Sequence, residues 1–112
     1  MSEPPVQFLG LATTTKWSEL QSFMTEMGSA APYWRTLTTA GVLVPPDEGW
    51  YADWDHQFRL GDYKYIEWCE LYARPEEDCL TVEDIRQMCL AIGFEVEMEI
   101  DRVRVLGYRR LP

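Results

Sequence analysis

The chain is poor in basic residues and has no long apolar run, and each scarcity excludes a class of protein. Ten lysines and arginines stand against nineteen aspartates and glutamates, and the net charge of −9 disfavours binding to nucleic acid or to an anionic membrane. No segment approaches the roughly 20 apolar residues of a membrane span, and no basic residue precedes the apolar patch from Val6 to Leu11. We therefore predict a cytoplasmic protein without a secretory signal.

Cysteine is equally scarce, because the chain holds only Cys69, Cys79 and Cys89, which form no C-x-x-C pair. An odd set without close spacing is typical of reduced thiols and not of a disulfide framework or a zinc site. We predict that all three are structural thiols.

The sequence also lacks several common catalytic motifs. It has no G-x-S-x-G, no H-E-x-x-H and no Gly-rich phosphate loop. His56 is the single histidine, and Asp53 and Asp55 lie beside it. Neighbouring residues of an extended segment point to opposite faces, so Asp55 is poorly placed to orient the His56 ring. We predict no catalysis, no metal site and no cofactor.

Acidic residues are concentrated in the middle of the chain. From Asp47 to Asp101 sixteen acidic residues face four basic ones, whereas residues 102–112 carry four arginines and no acidic residue. A field of this sign steers a basic protein toward the acidic segment. Solubility alone is the alternative explanation, because many small acidic proteins have no basic partner.

Apolar periodicity predicts one helix and one strand in the first half of the chain. The stretch TKWSELQSFMTEMG predicts a helix that begins near Thr15 or Ser18 and ends at Gly28. The stretch YWRTLTT, residues 33–39, is rich in aromatic and β-branched types. It predicts an edge-like strand that ends at Gly41.

The second half begins with a predicted hairpin that turns at Gly61 and Asp62. The second arm of this hairpin, YKYIEWCELYA, is largely apolar on both faces, which is typical of a strand with neighbours on both edges. Thr81 and Asp84 then form a capping pair at the start of a second helix, and Gly93 ends that helix.

A final hairpin is predicted from a period of two. Four apolar residues, which we expect to be buried, alternate with Glu95, Glu97 and Glu99: Phe94, Val96, Met98 and Ile100. A two-residue turn at 101–102 places Met98 opposite Val105 and Ile100 opposite Val103.

These elements predict an α+β fold in which two helices cover one face of an antiparallel sheet of about five strands. The predicted order is α-β-β-β-α-β-β. Residues 1–14 are predicted to form a flexible arm, and residues 15–112 a single domain.

The stretch from 48 to 68, EGWYADWDHQFRLGDYKYIEW, holds seven of the fifteen aromatic residues. A domain of this size uses several of them as core, including at least one of Trp50 and Trp54. Exposed aromatics ringed by carboxylates are typical of protein interfaces. We therefore predict a partner-binding segment with these residues: Asp47, Glu48, Trp50, Tyr51, Asp53, Trp54 and Asp55.

Two short motifs carry a resemblance. T-K-W-x-E-L begins at Thr15 and Y-x-x-I-E-W begins at Tyr63, and a G-Y pair follows at Gly107 and Tyr108. In these motifs the chain resembles a family of small, largely uncharacterised bacterial proteins, and as a small acidic α+β domain it resembles toxin immunity proteins by type. The resemblance implies a protein that binds a basic toxin domain and blocks its active site, in one form as a mimic of nucleic acid. A small acidic adaptor or regulatory binding module is the alternative.

Overall fold

A computed structural model of the chain describes residues 7–47, 49–54 and 63–111. The described residues form two α-helices and seven β-strands: β1 (Phe8–Gly10), α1 (Thr14–Met27), β2 (Tyr33–Thr38), β3 (Leu43–Val44), β4 (Ile66–Tyr72), α2 (Val82–Ile92), β5 (Glu95–Met98), β6 (Arg102–Leu106) and β7 (Tyr108–Arg110).

Five of the strands form one antiparallel sheet in the order β3-β2-β4-β6-β5, which confirms the predicted α+β class. β1 and β7 pair separately as a small antiparallel sheet that the sequence did not predict. β1 lies within residues 1–14, and β7 continues the chain directly after β6.

The sequence predicted a central position in the sheet for β4 and an edge position for β2. The first prediction is confirmed, and the second is wrong. β4 is the central strand, as predicted, with β2 and β6 on its two edges. β2 is not an edge strand, because the chain reverses after Thr38 and Leu43–Val44 pairs with its outer side. Gly41, at φ 84°, permits that reversal. The predicted hairpin turn at Gly61 and Asp62 lies outside the described residues.

Each helix has a side-chain cap at its start and a glycine at its end. The α1 N-cap is Thr13, whose hydroxyl accepts from the Lys16 amide, so the predicted starts at Thr15 and Ser18 are wrong by a few residues. α2 has the predicted capping box of Thr81 and Asp84. The predicted ends at Gly28 and Gly93 are confirmed.

Lys16 ties the two helices together, because its Nζ donates to the backbone oxygen of Gly93 over 2.9 Å. A cation at this position satisfies a carbonyl left without a partner at the end of α2 and complements the negative end of the helix dipole.

The core lies between the helices and one face of the sheet. Two rows of side chains cross that face, and their members pair across neighbouring strands: Trp34, Leu71 and Val103 in one row, and Thr36, Cys69 and Val105 in the other. From the helices, Trp17, Leu20, Met24, Ile85 and Cys89 pack against these rows. Both helices therefore cover the same face.

The β5–β6 hairpin turns one residue earlier than predicted, which shifts the pairing of its two strands by two residues. Met98 lies opposite Val103, not Val105, and the Glu99 amide donates to the Arg102 oxygen, which puts the turn at Ile100 and Asp101. Ile100 is fully exposed and Met98 is 45% exposed, so the prediction that both are buried is wrong. A shift of two residues in the strand pairing leaves each side chain on its predicted face. It also puts Met98 and Ile100 at the end of the hairpin, outside the core.

Gly107 lies between β6 and β7, where its backbone closely approaches the backbone of Ile66 in β4. A Cβ at this position would lie 2.1 Å from the Ile66 backbone oxygen and 3.1 Å from the Trp17 ring. The Gly107 amide donates to the Glu67 oxygen over 2.7 Å, and its own oxygen accepts from Leu11 over 2.9 Å. Glycine is required here because no larger residue fits between the two sheets.

Candidate functional site

The face of the sheet that the helices do not cover, called here the open face, presents three rows of side chains. Alternation along each strand sends these residues away from the core, and strand pairing aligns them: Tyr33, Tyr72 and Arg102; Arg35, Glu70, Arg104 and Glu97; Leu37, Trp68, Leu106 and Glu95. Within the part of the chain that the structure describes, no helix packs on these rows. Among the described residues, the open face is therefore a side of the sheet that no helix covers.

The middle row alternates in charge across four strands. Arg35 Nε donates to Glu70 Oε1 over 2.7 Å, and Arg104 Nη2 donates to Glu70 Oε2 over 2.9 Å. Arg104 Nη1 lies 3.8 Å from Glu97 at the exposed end of the row, and Arg102 Nη1 lies 3.8 Å from Glu70. Glu70 therefore has arginines on both neighbouring strands.

Glu70 is held as a carboxylate although its side chain is only 2% exposed. Burial acts to raise the pKa of Glu70, but hydrogen bonds from Arg35 and Arg104, together with their charges, outweigh that effect and lower the pKa below its ordinary value. The carboxylate thus lies beneath the guanidinium groups, which are 20% to 31% exposed.

Aromatic rings also contact Arg35, Arg102 and Arg104. The Arg35 guanidinium lies 4.4 Å from the Trp50 ring, and the Arg102 guanidinium lies 5.2 Å from the same ring. Arg104 lies 4.3 Å above Trp68. Contacts of this kind favour one orientation of each arginine, since the ring face attracts the cation. The result is a preorganised layer of guanidinium and aromatic groups.

A shallow cavity of about 610 Å³ opens at one end of this layer. Its lining residues are Tyr33, Trp50, Tyr72, Asp101 and Arg102. The Trp50 and Tyr72 rings are 5.2 Å apart, and Arg102 Nε donates to Asp101 over 3.0 Å. The hydrogen bond from Arg102 lowers the pKa of Asp101. The cavity therefore combines three aromatic walls with one ion pair.

One exposed apolar side chain belongs to the turn that also carries Asp101, a lining residue of the cavity. Ile100 precedes Asp101 in the β5–β6 turn and is 100% exposed. Covering such a side chain on binding is worth about 2 kcal/mol or more. Ile100 therefore offers exposed apolar area in the turn that borders the cavity.

The structure distributes the predicted partner-binding segment over several environments. Trp50 lies on the open face, whereas Tyr51 is half-buried against Trp34 at a ring distance of 4.9 Å. Trp54 is 3% exposed, and its indole donates to the Pro32 oxygen, so this member of the predicted segment lies in the core of the free chain. Its burial follows from its place in the core beside Trp34.

The predicted carboxylates are only partly described. Asp47 and Asp53 are exposed, and the Asp47 side chain accepts from the Gly49 amide. Glu48 and Asp55 lie outside the described residues, as does His56. Trp50, Asp47 and Asp53 therefore remain as described members of the predicted segment that lie at the surface.

Sequence reasoning missed the arginines of the open face and their aromatic partners. One signal was present, because Glu70 falls within a strand predicted to be covered on both faces. A carboxylate at such a position requires a cation on a neighbouring strand. Arg35, Arg102 and Arg104 alternate with core residues on the two neighbouring strands and were the available candidates.

The cysteines are free, as predicted, and Cys69 and Cys89 are buried. Burial raises the pKa of Cys69 well above its ordinary value and that of Cys89 to about 12, so both remain thiols. Among the described residues no group of three His, Cys, Asp or Glu side chains is placed to hold a metal ion. No described helix is both long enough and apolar enough to cross a membrane.

Comparison with known proteins gives one match. Residues 5–111 match the model of a family of unknown function (DUF6678). No curated protein and no solved structure matches the chain.

Proposed function

We propose that this chain, which belongs to that family of unknown function, is a cytoplasmic immunity or antitoxin-like protein. It binds a toxin domain that has a basic surface and blocks the active site of that domain. The protein acts by binding alone. The open face of the sheet, with its fixed arginines and aromatics beside the exposed Ile100, is the observation on which the proposal rests.

The open face is suited to binding protein because its anchors are already ordered. Trp50, Arg35 and Arg102 contact one another in the free chain, so little side-chain entropy remains to be lost when a partner covers them. Tryptophan, tyrosine and arginine are the residue types that contribute most to binding energy at interfaces. Ile100 adds apolar area beside them.

The net charge supports a basic partner at longer range. A charge of −9 on 112 residues attracts a cationic protein before contact, which raises the association rate. Asp47 and Asp53 are exposed in the segment that also carries Trp50. We assign steering to the carboxylates and retention of the partner to the open face.

The test is a binding and growth-rescue experiment with the product of the neighbouring gene. We expect the wild-type chain to bind that protein and to restore growth of cells that express it. Trp50→Ala should raise the dissociation rate at least about tenfold, since an anchor residue contributes roughly 2 kcal/mol. Phe23→Ala, at an exposed position of α1, is the matched control and should leave binding unchanged.

Each alternative outcome has a distinct meaning. A wild-type chain that neither binds nor rescues contradicts the immunity proposal. A wild-type chain that binds the product of the neighbouring gene but does not restore growth supports the alternative function, a small acidic adaptor or regulatory binding module. Rescue that withstands Trp50→Ala but is lost in Phe23→Ala leaves the function in place and moves the site to the helices.

A further inference from the structure

The three arginines of the open face have more hydrogen-bond donors than the chain uses. Each guanidinium has five N–H groups. Among the described residues, Arg35 donates through Nε to Glu70 alone, and Arg102 donates to Asp101 alone. The buried Nε of Arg104 has no hydrogen-bond partner among the described residues. Arg102 lines the cavity, and its remaining N–H groups are available to an acceptor from another molecule.

The Glu70 carboxylate, which could compete with a ligand for these arginines, already accepts hydrogen bonds from two of them. Glu70 is 2% exposed and accepts from Arg35 and Arg104, so it lies beneath these groups and not beside a ligand. Asp101 pairs with Arg102 at the side of the cavity. The cavity therefore presents aromatic faces and the Arg102 guanidinium, with the Asp101 carboxylate at its side.

We propose that the cavity lined by Tyr33, Trp50, Tyr72, Asp101 and Arg102 binds a side-chain carboxylate of the partner protein, which accepts from the unused N–H groups of Arg102. This inference rests on the proposed function and specifies what the partner inserts. Hydrogen bonds between a guanidinium and a carboxylate are about twice as strong as neutral ones.

The charges around the cavity indicate which groups surround that carboxylate on the surface of the partner. Arginines occupy the centre of the open face, whereas Glu97, Glu99 and Asp101 lie toward its β5 and β5–β6 turn side, and Asp47 is exposed near Trp50 in sequence. The complementary surface has an acidic centre within a basic rim. An enzyme groove that is basic for an anionic substrate and holds an acidic active-site residue has this pattern.

A protein carboxylate fits this site better than a nucleic-acid phosphate. A nucleic acid carries a charge at every nucleotide, and the carboxylates around the arginines repel that chain of charge. The neighbouring Ile100 is fully exposed and offers apolar area that a phosphate backbone does not cover. A single carboxylate surrounded by basic and apolar groups avoids both penalties.

The test uses two short peptides and NMR spectra of the ¹⁵N-labelled full chain. An acetylated and amidated Gly-Glu-Gly peptide is compared with the Gly-Gln-Gly peptide of the same shape at millimolar concentrations. We expect the glutamate peptide to shift the Trp50 indole N–H and the Arg102 Nε–H, and to bind at least about fivefold more tightly than the glutamine peptide, because the carboxylate doubles the strength of the contact.

Two variants locate the effect. Arg102→Gln should abolish the shift of the Trp50 indole, and Glu70 keeps Arg35 and Arg104, so the fold is retained. Arg86→Gln removes an arginine that pairs with Glu83 on α2 and is the matched control, which should respond as wild type does. A spectrum with dispersed core methyl signals confirms folding of both variants.

Several results would overturn the inference. They are the absence of any shift, equal affinity for the two peptides, a response that persists in Arg102→Gln, and tighter binding of an oligouridylate than of the glutamate peptide. None of these depends on the toxin, so failure here and failure of growth rescue are separate results.

Discussion

At the scale of single residues, buried charge determines the chemistry of the open face. Glu70 is almost inaccessible, and it organises Arg35 and Arg104 from the two neighbouring strands. Removing one partner from such a cluster leaves unpaired charge in a region of low dielectric constant, which is far more costly than losing an exposed ion pair. The geometry of the arginines, and so of the cavity, depends on this one carboxylate.

Glu70→Gln should therefore destabilise the protein in a manner that depends on pH. The folded pKa of Glu70 is lowered from 4.5, so its contribution is complete above that ordinary value and disappears as the pH falls through the lowered folded pKa. We expect a loss of about 3 kcal/mol in the free energy of unfolding at neutral pH, shrinking in acid. Urea titrations across pH measure it.

The control for this prediction is Glu97→Gln, at the exposed end of the same row. Its side chain is 59% exposed and 3.8 Å from Arg104, so we expect a change within about 0.5 kcal/mol at every pH. Equal effects of the two substitutions would show that the row is not organised by Glu70.

Among the described glycines, Gly107 has the least room for a side chain. Gly107→Ala places a Cβ 2.1 Å from the Ile66 oxygen, so backbone must move, and we expect a loss of more than about 3 kcal/mol. Gly10→Ala is the control, because its nearest atom is 3.9 Å away in the Tyr108 ring. A normal urea midpoint for Gly107→Ala would contradict the observed packing of β6 against β4.

At the scale of elements, the β5–β6 hairpin shows how much of the fold the sequence predicts. Strict alternation after Phe94 predicts a strand and its two faces, and those faces are observed. The position of the turn was not predictable from alternation, because registers that differ by two residues place the same side chains on the same face. Local turn geometry at Ile100 and Asp101 decides between them.

The two sides of this hairpin should respond differently to truncation. Met98→Ala removes a side chain that is 45% exposed and should cost less than about 1 kcal/mol, whereas Val103→Ala, at the fully buried position opposite, should cost about 2 kcal/mol. Urea midpoints with unchanged slopes measure both. A larger loss for Met98→Ala would restore the register predicted from the sequence.

The candidate site was less predictable than the helices and the central strand. Apolar periodicity and capping residues are local signals, and they predicted both helices and the neighbours of β4. The open face depends instead on residues 35, 70, 102 and 104, which meet only after three strands pair. Trp50 was predicted because aromatics and carboxylates are dense around it, but that same density also included the core residue Trp54.

At the scale of the whole molecule, charge and contact surface have separate roles. The net charge of −9 acts over distances up to the Debye length, about 8 Å at physiological salt, whereas the open face acts only on contact. Charge therefore affects association, and the anchors affect dissociation.

This separation predicts a distinct effect of charge reversal. Asp47→Lys combined with Asp53→Lys should lower the association rate with the proposed partner, the product of the neighbouring gene, and weaken its dependence on salt, while dissociation changes little. The control reverses Glu19 and Glu26, two exposed residues of α1, which changes the net charge equally. Stopped-flow or surface-binding kinetics at low and high ionic strength compare them, and we expect the smaller effect from the control. Equal effects would assign steering to net charge alone.

The central claim is that the open face of the sheet, and not the helical side, contacts the partner. The most direct measurement is an NMR map of the backbone and side-chain signals of the ¹⁵N-labelled chain before and after it binds the product of the neighbouring gene. We predict that signals of Tyr33, Trp50, Tyr72, Ile100 and Arg102 change or broaden while exposed positions of α1 and α2 do not. A footprint confined to the helices would contradict the account.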